Sequence, residues 1–276
     1  MAHCVAVGSM MGLWFALGAA GEDSVRLLVR ALDARGQQHQ ELMARIDAAE
    51  GDANGVWREL FHRSAEVLPA ARRALAHPES AELAGTVMAF FGESRDLDAV
   101  IGHWEKSGPS QSDVPDSLIS CLYDPDSERQ WQFLRKVALD QARGVTSARE
   151  AIETLRFNGS ARSRKILAEA AVRNPAAAKQ AKAALEEIAS NPTLPENADP
   201  AEAMRLILAK VGNVKDREDL AFDPSGNRAH FNFTVLSGHC RLTYSATLRR
   251  RAGTWRLTSS LMIQQVLLPP PPPSLQ

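Results

Sequence analysis

From Glu22 onward, apolar side chains return every three or four residues, the spacing of one face of an α-helix. Val25, Leu28, Val29 and Leu32 form one such stripe, Leu42, Met43, Ile46 and Ala49 the next, and Trp57, Leu60 and Phe61 open another. The pattern predicts consecutive amphipathic helices, each burying one side. Beyond Asn213 the period changes from 3.6 to 2. Phe231, Phe233 and Val235 alternate with other residues, as do Leu242, Tyr244, Ala246 and Leu248, and then Trp255, Leu257 and Ser259. These runs predict three antiparallel strands with turns at Ser237-Gly238 and Ala252-Gly253, and a fourth strand near Leu220 to Phe222. One apolar face of such a meander needs a cover, and a helix from Pro200 to Val211, carrying Ala203, Leu206 and Ile207, is the nearest.

Punctuation within the helical part is regular. His77-Pro78, Asp124-Pro125 and Asn174-Pro175 each follow one apolar stripe and open another. A residue before proline is pushed out of the α region, while proline itself suits a first helical turn. Counted from each proline, positions +6, +9 and +13 are Ala84, Val87 and Phe91, then Trp131, Leu134 and Ala138, then Ala181, Ala184 and Ile188. The same inner face is expected three times. Asn158-Gly159-Ser160 predicts a further turn, with glycine at a left-handed helix end and serine capping the next start.

Leu118-Ile119-Ser120-Cys121-Leu122-Tyr123-Asp124-Pro125-Asp126-Ser127-Glu128-Arg129 combines a leucine-spaced helix, an Asp-Pro-Asp turn and a basic residue entering the next helix. In this the chain resembles the HEAT family of helical repeats, over roughly residues 60–190; Ala74-Leu75 and Gly92-Glu93 echo it. The resemblance implies a solenoid of antiparallel helix pairs. Turn-to-turn spacing is 47 residues from Pro78 to Pro125 and 34 from Pro125 to Gly159, so the helix around Leu97 to Trp104 is extra to a strict two-helix period. Gly253-Thr254-Trp255-Arg256-Leu257 is similar to the closing strand of nuclear-transport-factor-two-like α+β modules. The expected fold is therefore mostly α: a HEAT-like α-helical solenoid over 22–190, a linker over 191–199, a small α+β module with an antiparallel meander over 200–268, and a proline-rich tail over 269–276.

The first twenty residues bear on compartment. Val5 to Ala20 carries no charge and ends in Gly18-Ala19-Ala20 before Gly21-Glu22-Asp23, which reads as a secretory signal cleaved near Ala20. Against it, the segment before the apolar run has no Lys or Arg, and a misassigned start or a buried first helix is the other reading. A signal would place the chain outside the cytoplasm, periplasmic or secreted; without one it is cytoplasmic. The run is too short for a stable membrane span.

With 45% hydrophobic and 24% charged residues, the composition is that of a globular protein. Cys4, Cys121 and Cys240 are too few and too scattered for a disulfide scaffold or a structural zinc site. A Cys121–Cys240 bond would require the C-terminal module to fold back on the repeats. His62, His77 and His103 stand apart, and His239 and Cys240, as neighbours on a strand, point to opposite faces. Asp96/Asp98 and Asp124/Asp126 sit at helix starts, where carboxylates cap amides. No catalytic residue, metal site or cofactor is expected, and the chain reads as non-enzymatic.

Charge is unevenly spread along a chain of net charge −1. Glu79 to Glu128 holds eleven acidic and two basic residues; Arg143 to Lys182 holds nine basic and three acidic; from Asn227 onward there are six arginines and no acid. This predicts a protein-interaction or scaffold module with a binding surface for an acidic partner at Arg149, Arg156, Arg162, Arg164 and Lys165. The alternative is nucleic-acid or other polyanion binding through the basic helices of 143–182, weakened by the near-neutral total and by the lack of aromatics interleaved with the cations. A third possibility is that the cations neutralise the protein's own acidic block.

Overall fold

The structure, a computed structural model, describes residues 23–48, 59–107, 116–140, 145–190, 199–223, 225–238, 240–251 and 253–267. The expected signal over 1–20, Trp57, nearly all of the expected linker, His239, Ala252 and the proline-rich tail lie outside these residues.

Eleven helices precede five strands among the described residues. The helices are α1 Ser24–Asp33, α2 Gly36–Ala48, α3 Ser64–Ala74, α4 Ala81–Phe91, α5 Ser94–Ser107, α6 Asp116–Ile119, α7 Glu128–Leu139, α8 Val145–Asn158, α9 Ala161–Arg173, α10 Ala178–Ser190 and α11 Pro200–Val211. The strands are β1 Val214–Arg217, β2 Ala221–Phe222, β3 Arg228–Ser237, β4 Cys240–Arg251 and β5 Thr254–Leu267. Helices thus occupy the chain up to Val211 and strands begin at Val214.

Several ends are fixed by local chemistry. The Asp23 carboxylate accepts from the amides of Val25 and Arg26 at the start of α1. Gly159 has φ +64°, and the Ser160 hydroxyl accepts from the Ser163 amide to begin α9. Asp199 caps α11 through the Glu202 amide, with Pro200 in the first helical position. Each relieves amide donors that a helix start leaves unpaired.

Several helices pack against the next but one as well as against a successor. α4 touches α6, α6 touches α8 and α8 touches α10, while α5 touches α7 and α7 touches α9. The three prolines therefore do not open equivalent helices. α4 and α10 belong to one set of contacts and α7 to the other, so the shared +6, +9, +13 pattern reports burial and not a common place. α4, with the sequence AELAGTVMAFF, is buried on nearly every side. A helix apolar all round can only be an interior one.

The sheet runs β1-β3-β4-β5, with β2 also paired to β3, and every pairing is antiparallel. Ala229, Phe231, Phe233 and Val235 of β3 lie opposite Leu248, Ala246, Tyr244 and Leu242 of β4, giving one apolar face. Ala203, Met204 and Ile207 of α11 cover it in a common core with Trp255 and Leu257. The expected alternation of Trp255, Leu257 and Ser259 fails at its last member. A bulge between Thr247 and Leu248 pairs Leu257 with Leu248 but Ser259 with Thr247, which moves Ser259 to the other face. That other face is polar yet also buried: His230, Asn232, Thr234, Thr243, Ser245, Thr247 and Ser259 are each less than 9% exposed.

Candidate functional site

The acid-free C-terminal arginines meet the acidic block. Arg228 and Arg249 are directly opposed on β3 and β4. Arg228 Nη1 donates to the Phe91 carbonyl at 3.2 Å and Arg249 Nη2 to the Gly92 carbonyl at 2.8 Å. Arg251 Nη1 donates to the Asp124 carbonyl at 2.7 Å, and its guanidinium pairs with the carboxylates of Asp124 at 3.1 Å and Asp126 at 3.0 Å. Further along the interface, the Ser260 amide donates to the Ser120 carbonyl, and the His230 ring lies 5.3 Å from that of Phe61. The sheet thus folds back onto the helices, and the Asp-Pro-Asp turn serves as its dock. Cys121 and Cys240 are both buried in this arrangement and are not bonded to one another.

Gly92 makes the junction possible. A Cβ there would stand 2.3 Å from the Met88 carbonyl oxygen and 2.6 Å from Asp96 Cβ. Asp96 itself reaches back to the Glu93 amide at 2.9 Å and holds Arg72 at 2.8 and 2.9 Å. Burial pushes the Asp96 pKa up, but Arg72 and the Glu93 amide outweigh it and hold the carboxyl below its usual range. The expectation that these acids cap helix starts holds for Asp96. Asp98 instead accepts from Ser127 and Gln130, and Asp124 and Asp126 bind Arg251. Tertiary contacts supplied partners that local spacing could not reveal.

Beside this dock, Tyr123, Asp124, Phe157, Asn158, Ile207, Lys210, Arg256 and Leu257 line a small cleft open to solvent. Three of its groups are displaced from their ordinary titration. Burial raises the Tyr123 hydroxyl and the Asp124 carboxyl, the latter in spite of Arg251 and Arg256. Burial, helped by Arg156, lowers the Lys210 ammonium. Displaced groups gathered in one cleft mark a candidate site. Lys210 and Arg256 are half-buried there, and among the described residues no carboxylate lies within ion-pair distance of either. Asn158 is held rigidly: its amide donates to the Tyr123 carbonyl at 2.9 Å, and its Oδ1 accepts from the Ser160 amide and the Ser163 hydroxyl.

The five cations expected to form a binding surface are dispersed. Arg156 is only 15% exposed, pairs with Glu153 at 2.8 Å and with Glu187, and lies over the Phe157 ring. Arg162 pairs with Glu128 at 2.6 Å and stacks on Trp131. Arg149, Arg164 and Lys165 are exposed. The Arg149 carbonyl accepts from Gln180 near the start of α10, whereas Arg164 and Lys165 lie near the start of the antiparallel α9. The structure therefore ties Arg156 and Arg162 to the protein's own acids and leaves the other three in separate places. Lys210 stands outside every charge run and Arg256 is one of six arginines in the C-terminal run, so nothing local pairs them; they converge only when α11 and β5 pack.

The buried polar face holds one arrangement of catalytic appearance, with His230 Nε2 2.8 Å from Ser245 Oγ. Both residues are at most 3% exposed. A nucleophile must reach its substrate, so this contact serves to satisfy two buried polar groups. No group of metal ligands occurs among the described residues, and no described helix is long and apolar enough to cross a membrane. No family model matches the chain, and neither a curated protein nor a solved structure does.

Proposed function

We propose that this chain is a non-enzymatic protein-binding module, a HEAT-like solenoid with a docked β-module, that receives an acidic side chain of a partner protein in the cleft at their junction. The supporting observation is the pair Lys210 and Arg256, half-buried on the wall of one cleft and in no ion pair with a described carboxylate, the cleft's own Asp124 being held by Arg251. Partly desolvated cations gain more from an incoming carboxylate than exposed ones do. The dispersed Arg149, Arg164 and Lys165 add long-range attraction, which raises association rates more than affinity. The Tyr123 and Phe157 rings, edge to face at 5.5 Å, supply the apolar side of the cleft.

The test is binding of a fluorescent glutamate-rich peptide, followed by anisotropy at several salt concentrations. A Lys210→Gln/Arg256→Gln double variant is expected to weaken binding on the order of tenfold or more, as loss of charge-assisted hydrogen bonds does. An Arg149→Gln/Arg164→Gln/Lys165→Gln variant should change mainly the salt dependence. If the triple variant abolishes binding and the double variant does not, the site belongs to the basic helices. Absence of binding by the wild type, or binding equal in all three proteins, overturns the reading.

A further inference from the structure

We infer that Arg228 and Arg249, paired across β3 and β4, form a binding site for a small tetrahedral oxyanion of the phosphate or sulfate class. The inference does not rest on the acidic-partner reading, since neither Arg228 nor Arg249 lines that cleft, although Arg256, which does, lies opposite Arg249 on β5.

A guanidinium offers five N–H donors in a planar fork. Here the carbonyls of Phe91 and Gly92 take Arg228 Nη1 and Arg249 Nη2. Arg228 Nε and Nη2 and Arg249 Nε are buried and have no hydrogen-bond partner. Buried donors are nearly always satisfied, and those that are not commonly mark a missing water or ion. The two side chains are also like charges directly opposed in the ladder, an arrangement that opposes pairing. Their acceptors among the described residues carry the partial negative charge of the α4 C-terminus, which is less than one full charge.

Among the described residues no carboxylate fills the gap. Asp223 is committed to the Ser225 hydroxyl at 2.9 Å and the Arg228 amide at 3.1 Å, and Glu93 lies 3.5 Å from Arg95. Burial depresses both guanidinium groups, joined by repulsion from Arg249 at Arg228, which falls to about 10, and from Arg251 at Arg249. The Phe61 ring covers one side of Arg228, with the guanidinium 5.3 Å from its centroid. The fork edges therefore remain the direction without an acceptor among the described residues. An oxyanion bridging them supplies several acceptors at once, together with the missing negative charge. Because these arginines also hold the C-terminus of α4, an anion there stiffens the seating of the sheet on the helices.

Inorganic phosphate is the probe, added at constant ionic strength against chloride, with melting temperature and ³¹P line width as readouts. The wild type is expected to show a saturable rise in melting temperature and broadening of the phosphate line. Arg249→Gln should weaken both on the order of tenfold. Arg249→Lys keeps the charge but removes the fork, guards against a fold defect in the glutamine variant, and should weaken them similarly. The Lys210→Gln protein should respond as the wild type does, Arg256 being too near Arg249 across the strands to serve as a control. No saturable response, an unchanged response in Arg249→Lys, or a response lost with Lys210 overturns the inference.

Discussion

Arg251, at the end of β4, grips Asp124 of the turn before α7 through both its carbonyl and its carboxylate. The contact joins residues 127 positions apart, and the two side chains are 24% and 21% exposed. It explains a feature of the sequence that composition alone leaves open: an acid-free, arginine-rich end and an acid-rich middle are two sides of one interface. Removing Arg251 leaves Asp124 buried without its cation, a change that typically costs about 3–5 kcal/mol for a fully buried pair. Partial exposure here brings the expectation for Arg251→Met to about 2 kcal/mol. Urea unfolding of the two proteins measures it. A loss below about 0.5 kcal/mol, the scale of a surface pair, would mean the dock is held elsewhere.

Asp124 and Asp96 should respond to pH in opposite senses. The Asp124 pKa is raised by burial, so its contribution is full below the ordinary 3.8 and is lost as pH rises through the folded value. Asp124→Asn removes that loss while keeping the carbonyl that accepts from Arg251. The variant should therefore gain stability relative to wild type as pH rises from 3 toward neutrality. Melting temperatures across that range decide the matter; a variant that loses ground with rising pH contradicts the assignment.

Asp96 is held below its ordinary pKa of 3.8 because Arg72 and the Glu93 amide together outweigh burial. Its contribution is present above 3.8 and disappears as pH falls through the lower folded value. Asp96→Asn should cost about 2 kcal/mol near pH 7, below the buried-pair figure because the Arg72 side chain is 36% exposed. The difference from wild type should shrink toward zero in acid. Equal losses at pH 7 and at pH 2.5 would assign the effect to shape rather than charge.

At Gly92 a substitution cannot be absorbed by a flexible side chain, because the closest atom is the Met88 backbone oxygen at 2.3 Å. Gly92→Ala should displace the end of α4, and with it both the Asp96 reach-back and the carbonyl that takes Arg249. A fall in melting temperature of several degrees is expected, with hydrogen exchange accelerated at Glu93, Asp96 and Arg249 together. Unchanged stability would show that the approach relaxes freely.

Element types were largely legible because their signals are local. Proline and glycine positions, the cap at Ser160, and the change of period beyond Asn213 all act within a few residues of where they are seen. β1 left no trace: Val214–Arg217 is short, polar and mostly exposed. The partners of charged residues were not legible. Arg162 and Arg164 stand two apart in the same basic run, yet only Arg162 points at Glu128 and Trp131. The cleft cations come from α11 and β5, whose meeting depends on which sheet face the helix covers. The polar face was hidden for a further reason. Alternation shows which face is apolar, but not that the opposite one is buried as well.

Arg156 and Arg162 provide the sharpest separation between charges that serve the fold and charges that serve a partner. Both lie in the basic segment, and both are engaged internally, but to different degrees. Arg156 is 15% exposed, joins α8 to α10 through Glu187 and covers the Phe157 ring. Arg162 is 43% exposed and meets a more exposed Glu128, so solvent screens that pair. Reversal of Arg156 to glutamate places three carboxylates together in a half-buried position and should lower the melting temperature clearly. Reversal of Arg162 should lower it much less. Neither should alter affinity for the glutamate-rich peptide beyond the general effect of net charge, which added salt removes. If Arg162→Glu abolishes peptide binding at high and low salt while the protein melts normally, α9 is an interface after all, and the cleft at Lys210 and Arg256 is not the principal site.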